Sequence, residues 1–194
     1  CNRLTFDRDG NIPIGVELID RKHQIPLQYV PDDLVDIPKK NRAEGYENRK
    51  LMLRKEANDA FNCMIDDAGK DGVIIRILSA FRYSRYQSYL YINAIKRSGI
   101  YQDSVAKPGH SEHQLGTACD LTTIEIQNGL SRDFESTHAY KWLINHAYLY
   151  GIYLSYPKHK RRITRYIYEP WHFRYWGKNR WRNYFDKIGI SLNR

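Results

Sequence analysis

The stretch SEHQLGTACD, residues 111–120, sets a histidine seven positions before an aspartate and puts small residues directly before that aspartate. If its second half forms a strand, the side chains of Gly116, Ala118 and Asp120 share one face. That face is almost bare, so a large group can approach the Asp120 carboxylate, and His113 in the preceding loop can swing toward the same point. For this stretch alone, a solvent-facing aspartate and a capping histidine explain the pattern at least as well.

A second stretch, YEPWHFRYWG at residues 168–177, supplies Glu169 and His172, with a proline between them that argues against a helix. Catalytic zinc takes three protein ligands from histidine, aspartate and glutamate and keeps a fourth position for water. His113, Asp120 and His172 would be two neutral imidazoles and one carboxylate, and Glu169 would stay unligated as a general base. The two stretches contain this set of residues, but a bent strand is needed to bring Glu169 and His172 into one cavity.

The chain of 194 residues has a globular composition, with 42% hydrophobic and 13% aromatic residues. This size predicts a single domain, residues 1–194, that buries a core without disulfides or metal staples. Residues 1–48 are rich in turn formers, and IPLQYVPDDLVDIPKK, residues 25–40, carries three prolines among apolar residues. We therefore interpret residues 1–48 as an extended N-terminal arm that wraps the core.

The formal net charge is +9, from 31 Lys and Arg against 22 Asp and Glu. A basic surface attracts polyanions such as nucleic acid, anionic lipid or an acidic wall polymer. The positive residues are dispersed, however, with KHKRR at 158–162 the densest run, and we find no zinc finger, RNP motif or helix-turn-helix signature. We therefore do not expect nucleic acid as a partner, and a solvated basic surface explains the charge.

The three cysteines, Cys1, Cys63 and Cys119, are odd in number and widely spaced, which favours neither a disulfide framework nor a cysteine zinc site. Cys63 falls in an apolar helical pattern and Cys119 in a small-residue strand, so we expect both to be buried thiols. Cys1 is explained either by a lipid anchor, as in a processed lipoprotein, or by trimming of the chain. No signal peptide or long apolar segment remains, so we expect the body of the protein to be soluble.

Hydrophobic periodicity and turn signals predict helices mixed with non-adjacent strands, which is typical of an α+β fold. The predicted helices cover about residues 51–68, 84–97, 135–150 and 178–187, the second followed by Gly99 and the third stopped by Gly151. The predicted strands cover about residues 73–81, 116–123, 152–156 and 166–176.

Taken together, the two motif stretches resemble the LAS group of zinc peptidases. SEHQLGTACD is similar to the SxHxxGxAxD motif of that group, and EPWH, residues 169–172, is similar to its ExxH signature. Three further stretches resemble the VanY-type D-alanyl-D-alanine carboxypeptidases of the group: DRKHQIPLQYVPDDLV at 20–35, SAFRYSRYQ at 79–87, and residues 151–177 throughout. The resemblance covers most of the chain, from about residue 16 to residue 180.

The resemblance implies a small antiparallel sheet packed with helices, with the metal in an open groove. It implies that His113, Asp120 and His172 bind one zinc ion and that Glu169 is the catalytic base. Arg82 matches the arginine of the family segment SGYRS, which binds the substrate near the scissile bond or at its terminal carboxylate. Arginine suits that role because its planar fork can bind a carboxylate through two hydrogen bonds.

Three more positions match substrate-binding residues of the family: Ser111, Gln87 and Tyr156. Ser111 corresponds to the motif serine that holds the C-terminal end of the substrate, Gln87 to the glutamine after the arginine segment, and Tyr156 to a tyrosine of the groove. The chain departs from the family pattern at Ala80, Phe81, Tyr83 and Arg165. None of these is a predicted ligand or the base, so the departures bear on the shape of the pocket and on the choice of substrate end.

The resemblance therefore predicts a zinc metallopeptidase that removes the terminal D-alanine from peptidoglycan stem peptides. The alternatives are an L,D-carboxypeptidase, which cuts a tetrapeptide by the same chemistry, and an endopeptidase that cuts cross-links. A different class, a non-catalytic zinc module that binds the wall, is disfavoured by the presence of Glu169. Because the substrate is the cell wall, we expect the protein in the periplasm or at the cell envelope, and we expect a monomer.

Overall fold

A computed structural model describes residues 13–14, 19–178, 184–185 and 188 of the chain. Its strands are β1 Leu34–Asp36, β2 Met52–Arg54, β3 Arg76–Ser79, β4 Ala118–Thr122, β5 Ile152–Leu154 and β6 His172–Tyr175. Its helices are α1 Lys55–Lys70, α2 Ser84–Ser98, α3 His138–His146 and α4 Arg161–Thr164. Cys1 and most of the predicted helix at 178–187 lie outside the described residues.

Four strands form an antiparallel sheet in the order β3-β4-β6-β5, and β1 and β2 form a separate antiparallel pair. The central strands are β4 and β6, and their register sets Asp120 directly opposite His172. On the other side of β4, Ser79 lies opposite Asp120. Residues that face each other across antiparallel strands have neighbouring side chains on the same face of the sheet. The sheet therefore joins the two motif stretches, and the prediction of an α+β fold with a small antiparallel sheet is confirmed.

Helix α1 packs one apolar face against the sheet. Its buried residues recur at helical spacing and are Ala57, Asn58, Ala60, Phe61, Met64, Ile65 and Ala68. Most of them share one core cluster with Leu121 and Phe173 of the central strands. Cys63 lies on the outward face of α1 and is exposed, so the prediction of a buried thiol is wrong there, whereas Cys119 is fully buried as predicted.

The start of the first predicted helix is also wrong. Residues 52–54 form β2, and α1 begins only at Lys55. Leu53 fits a helical pattern with the residues that follow, but it lies opposite Val35 of β1 and is fully buried there. A helix and a strand would both bury this leucine, so its burial does not decide between them. The pairing with β1 decides for the strand, because a helical spacing of only a few residues is a weak signal.

The described part of the N-terminal region packs on the molecule in two places. Ile37, directly after β1, is buried in the main core. Ile19, Ile25 and Tyr29 form a second apolar cluster with Leu115, which belongs to the turn before β4. This second cluster stabilises the turn that carries His113. That residues 1–48 form one arm of a single domain stays a prediction.

Helix α3 ends at His146 and continues as a 3-10 turn, Ala147–Tyr150, that stops at Gly151 as the sequence predicts. Gly151 has a φ of 73°, in the left-handed region that favours glycine. A Cβ atom here would lie 2.6 Å from the carbonyl carbon of Gly177 and 2.8 Å from its oxygen. The backbone N–H of Trp176 donates to the Gly151 carbonyl at 2.8 Å. This close approach joins the end of β6 to the start of β5.

We expect Gly151→Ala to destabilise the fold more than Gly45→Ala. Gly45 also has a positive φ, 80°, but a Cβ atom there would meet nothing within 4 Å. Alanine at 45 carries only the conformational penalty of about 1 kcal/mol, whereas at 151 the clash with the backbone adds about 1–3 kcal/mol. Urea unfolding of both variants measures the two losses in free energy of unfolding. Equal losses would contradict the close packing at Gly151.

Candidate active site

The register of the central strands builds the first half of the site. Asp120 of β4 and His172 of β6 face each other, and His172 Nδ1 lies 3.0 Å from Asp120 Oδ1. Both side chains are buried. Asp120 stands beside residues with small side chains, as the alternation in GTACD predicts, so the imidazole can approach its carboxylate across the strand pair.

His113 reaches the same carboxylate from the 3-10 turn Glu112–Leu115, which comes directly before β4. Its Nδ1–H donates to the backbone carbonyl of Ala80 at 2.7 Å, which turns Nε2 toward Asp120 Oδ2, 3.2 Å away. The rings of His113 and His172 are nearly perpendicular, with their centroids 4.9 Å apart. The second nitrogen of each imidazole therefore has its own partner, and one nitrogen of each faces Asp120.

This arrangement fits a zinc ion. One donor atom from each of His113, Asp120 and His172 lies within 4.8 Å of the others. His113 Nε2 lies 3.2 Å from Asp120 Oδ2, and His172 Nδ1 lies 3.0 Å from Asp120 Oδ1. These distances are on the scale of the about 3.3 Å that separates ligands at zinc bond lengths in a tetrahedron. Sets of two histidines and one carboxylate are typical of catalytic zinc, and they leave a fourth position for water.

The electrostatics of the cluster are compatible with a cation. Burial raises the pKa of Asp120, but the contacts with His113 and His172 outweigh burial and hold that pKa well below its ordinary value. Burial and the nearby Arg82 guanidinium lower the pKa of His113, which favours the neutral form that binds metal. Burial lowers the pKa of His172, but hydrogen bonds to Asp120 and Glu112 raise it to about 9. The carboxylates thus favour positive charge where the three side chains converge.

Glu112 is the residue that sequence reasoning missed. Its side chain is fully buried, and its Oε2 lies 3.1 Å from His172 Nε2. Its other oxygen accepts a hydrogen bond from Arg174 Nη1 at 3.1 Å, and Arg174 is also buried. An outer carboxylate of this kind fixes the ring and tautomer of a metal-binding histidine. The signal in the sequence is a pair of opposite charges, with Glu112 in one motif stretch and Arg174 in the other.

Glu169 lies at the edge of the cluster. Its Oε2 is 3.9 Å from His172 Nδ1, and its backbone N–H donates to the Tyr156 carbonyl at 3.2 Å. Burial raises the pKa of Glu169 to about 7, against the opposing effects of His172 and Arg82. A carboxyl with a pKa near neutrality can both accept and donate a proton under ordinary conditions.

Arg82 lies in the loop between β3 and α2 and is held from three sides. Its Nη1 donates to Gln87 Oε1 at 2.9 Å, and its Nη2 donates to Ser79 Oγ at 3.0 Å. Nη2 also lies 3.6 Å from Asp120 Oδ2. Gln87 in turn donates through Nε2 to the carbonyl of Ala106 at 2.7 Å. The guanidinium is therefore oriented before any substrate binds.

One cavity of about 220 Å³, which we call the inner cavity, collects the predicted site. All eight predicted site residues line it: Arg82, Gln87, Ser111, His113, Asp120, Tyr156, Glu169 and His172. The Tyr156 ring packs at 4.8 Å from the His172 ring. His110 does not take part in the cluster, because its Nδ1 bonds the carbonyl of Asp20 at 2.7 Å. The structure thus places the predicted residues together, while their individual roles stay predictions.

The family model described as "VanY: D-alanyl-D-alanine carboxypeptidase" matches residues 50–178. The chain belongs to the VanY family. A putative carboxypeptidase of Bacillus subtilis strain 168, YodJ, is 39% identical over 163 residues, which are 83% of this chain. The chain spans 59% of the length of that relative.

Two solved structures are similar over nearly the whole chain. The LD-carboxypeptidase LdcB is 36% identical with a TM-score of 0.79, covering 88% of this chain and 85% of that one. A mutant of the vancomycin-resistance D,D-pentapeptidase VanY, solved in complex with Zn(II), is 25% identical with a TM-score of 0.69, covering 92% and 99%. The antiparallel sheet and its packed helices are therefore those of the family.

We expect Glu112→Gln to weaken zinc binding. A glutamine has one acceptor oxygen, so it cannot serve His172 and Arg174 together as the carboxylate does. Loss of such an outer partner lowers metal affinity by about 10–100-fold. Competition with a chromophoric chelator measures the zinc dissociation constant, and Glu44→Gln, at an exposed position, is the control.

Circular dichroism and urea unfolding of the metal-free variants separate this effect from a loss of fold. A folded Glu112→Gln protein with the zinc affinity of the wild type would show that His172 is held without Glu112.

Proposed function

We propose that the protein is a zinc-dependent D-alanyl-D-alanine carboxypeptidase that acts on peptidoglycan stem peptides. The observation that carries the proposal is the convergence of His113, Asp120 and His172 with Glu169 and Arg82 in one cavity. Membership of the VanY family and the likeness to a zinc-bound D,D-pentapeptidase support it.

Zinc, when bound by His113, Asp120 and His172, supplies a Lewis acid that polarises the scissile carbonyl and lowers the pKa of water. The proton transfers fall to Glu169, which is buried beside His172. Glu169 takes a proton from the attacking water and returns it to the amine of the departing residue. Its raised pKa suits both steps, because the carboxyl is neither a strong acid nor always protonated near neutral pH.

Arg82 and Ser111 hold the substrate. Arg82 is fixed by Gln87 and Ser79 and has its guanidinium next to Asp120. In this position it can donate hydrogen bonds to the oxyanion that develops at the scissile carbonyl, or to the terminal carboxylate. Ser111 is buried at the same cavity and offers a hydroxyl donor to that carboxylate. Side chains that bind a free carboxylate favour cleavage at the end of a peptide over cleavage within it.

A second candidate is cleavage of the tetrapeptide, as an L,D-carboxypeptidase. The likeness to LdcB supports it, since that LD-carboxypeptidase is 36% identical and has a TM-score of 0.79. Both activities use the same metal, base and carboxylate reader, and they differ only in the residue before the scissile bond. The geometry around Glu169 and Arg82 is compatible with either.

Release of D-alanine from a synthetic stem pentapeptide and from the matching tetrapeptide tests both candidates. We expect release that stops when a chelator removes the metal and returns when zinc is added. Release from the pentapeptide supports the D,D activity, and release from the tetrapeptide alone moves the specificity to L,D. A zinc-loaded protein that cleaves neither peptide would refute the carboxypeptidase proposal.

Replacement of the base gives a second test. Glu169→Ala should retain zinc, because Glu169 is not one of the three proposed ligands. Its turnover should fall by about 10²–10⁴-fold, the contribution typical of a general base. The rate and the zinc content are measured on the same sample. Full activity of the variant would contradict the mechanism, and loss of zinc would place Glu169 among the ligands.

We also propose that the enzyme works at the cell envelope, because its substrate lies there. In the part of the chain that the structure describes, no helix is both long and apolar enough to cross a membrane. A lipid on Cys1 and a monomeric state stay predictions, and Cys1 lies outside the described residues.

A further inference from the structure

A second, wider groove continues from the inner cavity. It has a volume of about 630 Å³, and we call it the outer groove. The two spaces share four lining residues: Arg82, Leu90, Asp120 and Leu130. They are therefore continuous beside the metal cluster. The lining of the outer groove also includes residues 46 and 49–52 and the start of α2.

The inner cavity is suited to the end of a substrate rather than to its middle. It is about 220 Å³, and the segment 104–106 lines it. Gln87 ties that segment to α2 through its hydrogen bond to the Ala106 carbonyl. If the terminal residue occupies this cavity, the peptide that precedes the scissile bond must leave past Arg82 and Asp120. The outer groove is the larger space that opens there.

The outer groove is basic where it widens. Arg49 and Lys50 line it and are exposed, and no ion pair of either is found among the residues that the structure describes. Arg49 lies over the Tyr46 ring, with the guanidinium carbon 4.9 Å from the ring centroid. This contact holds the cation at the groove wall. Apart from Asp120 at the metal cluster, the described lining contains no acidic side chain to neutralise these charges.

The lining of the outer groove is also aromatic. Tyr83 and Tyr86, on and just before the first turn of α2, line the groove with about half of their surface exposed. Tyrosine rings offer an apolar face with a polar edge, which suits a peptide that lies along the wall. A groove lined by both basic and aromatic side chains fits an extended peptide that carries negative charge.

We infer that the outer groove binds the part of the stem peptide that precedes the scissile bond, and that Arg49 and Lys50 recognise a carboxylate on it. The inference rests on the proposed function. It adds a recognition element distinct from Arg82 and Ser111, which face the terminal residue. Stem peptides can offer such a carboxylate, because the γ-linked D-glutamate at their second position carries a free α-carboxylate unless it is amidated.

The test compares two synthetic stem peptides that differ only at this group, one with γ-D-glutamate and one with the α-amide, γ-D-isoglutamine. Both are used in the length that the enzyme cleaves, and D-alanine release gives kcat/KM. We expect the acid form to be preferred about two- to fivefold, as for an exposed charge pair. The preference should shrink at high salt, because exposed charges are screened.

The variant Arg49→Gln/Lys50→Gln should bring the ratio of the two kcat/KM values to about one, as expected when the charge pair is removed. The control, Lys39→Gln/Lys141→Gln, removes the same net charge from exposed positions that line neither space. It should keep the preference of the wild type. A control that loses the preference would show that overall charge, and not the outer groove, selects the acid form, and would overturn the inference.

A short peptide, diacetyl-L-Lys-D-Ala-D-Ala or its form with one D-alanine, has no carboxylate except its own terminus and reports the cleavage reaction by itself. If the short peptide is cleaved but the acid and amide forms are cleaved equally, or the amide is preferred, the inference fails and the proposed function stands. If none of the peptides is cleaved by the zinc-loaded protein, the proposed function fails and the inference falls with it.

Discussion

The site depends on one carboxylate placed between two imidazoles. Asp120 faces His172 across β4 and β6, and His113 approaches its other oxygen from the turn before β4. A slip of β6 by one residue would turn His172 to the opposite face of the sheet and remove it from the cluster. The hydrophobic face of the sheet therefore fixes the position of His172 as well as the core. By burying Phe173 against α1 it also decides which side of β6 carries the metal ligand.

The site is supported by an outer layer of polar contacts that begins with Glu112 and Arg174. Both side chains are buried, so neither charge is tolerated without the other. Their pairing leaves one oxygen of Glu112 for His172. The backbone carbonyl of Ala80 likewise orients His113 by accepting a hydrogen bond from its Nδ1–H. The two histidines are thus held by different kinds of acceptor, one charged and one neutral. Burial lowers the pKa of both rings, but the hydrogen bonds of His172 to Asp120 and Glu112 outweigh burial and raise its pKa, whereas burial and the Arg82 guanidinium leave the pKa of His113 lowered.

Two motifs of fixed spacing predicted most of the residues that the structure brings to the inner cavity, although their individual roles stay predictions. Gln87 and Tyr156 line the same cavity, although they rested only on resemblance. Arg165 stands where the family commonly has glycine, and its φ of 64° shows that the backbone there adopts the left-handed conformation that glycine favours.

The outer layer and several element limits could not be predicted. Glu112 pairs with Arg174, 62 residues away along the chain, and a contact of that separation leaves no periodic signal. Cys63 falls in an apolar stretch of sequence, which predicts burial. It lies on the outward face of α1, however, because the buried face contains Phe61 and Met64. Leu53 could be buried equally well by a helix or a strand, and only its pairing with β1 decides between them.

The two hydrogen bonds of Gln87 have a consequence for how the pocket can change during evolution. Its amide oxygen accepts from Arg82 and its amide nitrogen donates to the Ala106 carbonyl, so the orientation of the amide is fixed from both ends. Glutamate has nearly the same shape but would set a negative oxygen against that carbonyl. The segment 104–106 can therefore change its side chains without losing this hydrogen bond, provided that its backbone keeps the carbonyl at this point. Evolutionary changes at the end of the inner cavity are thereby limited to those that keep Gln87 oriented toward Arg82.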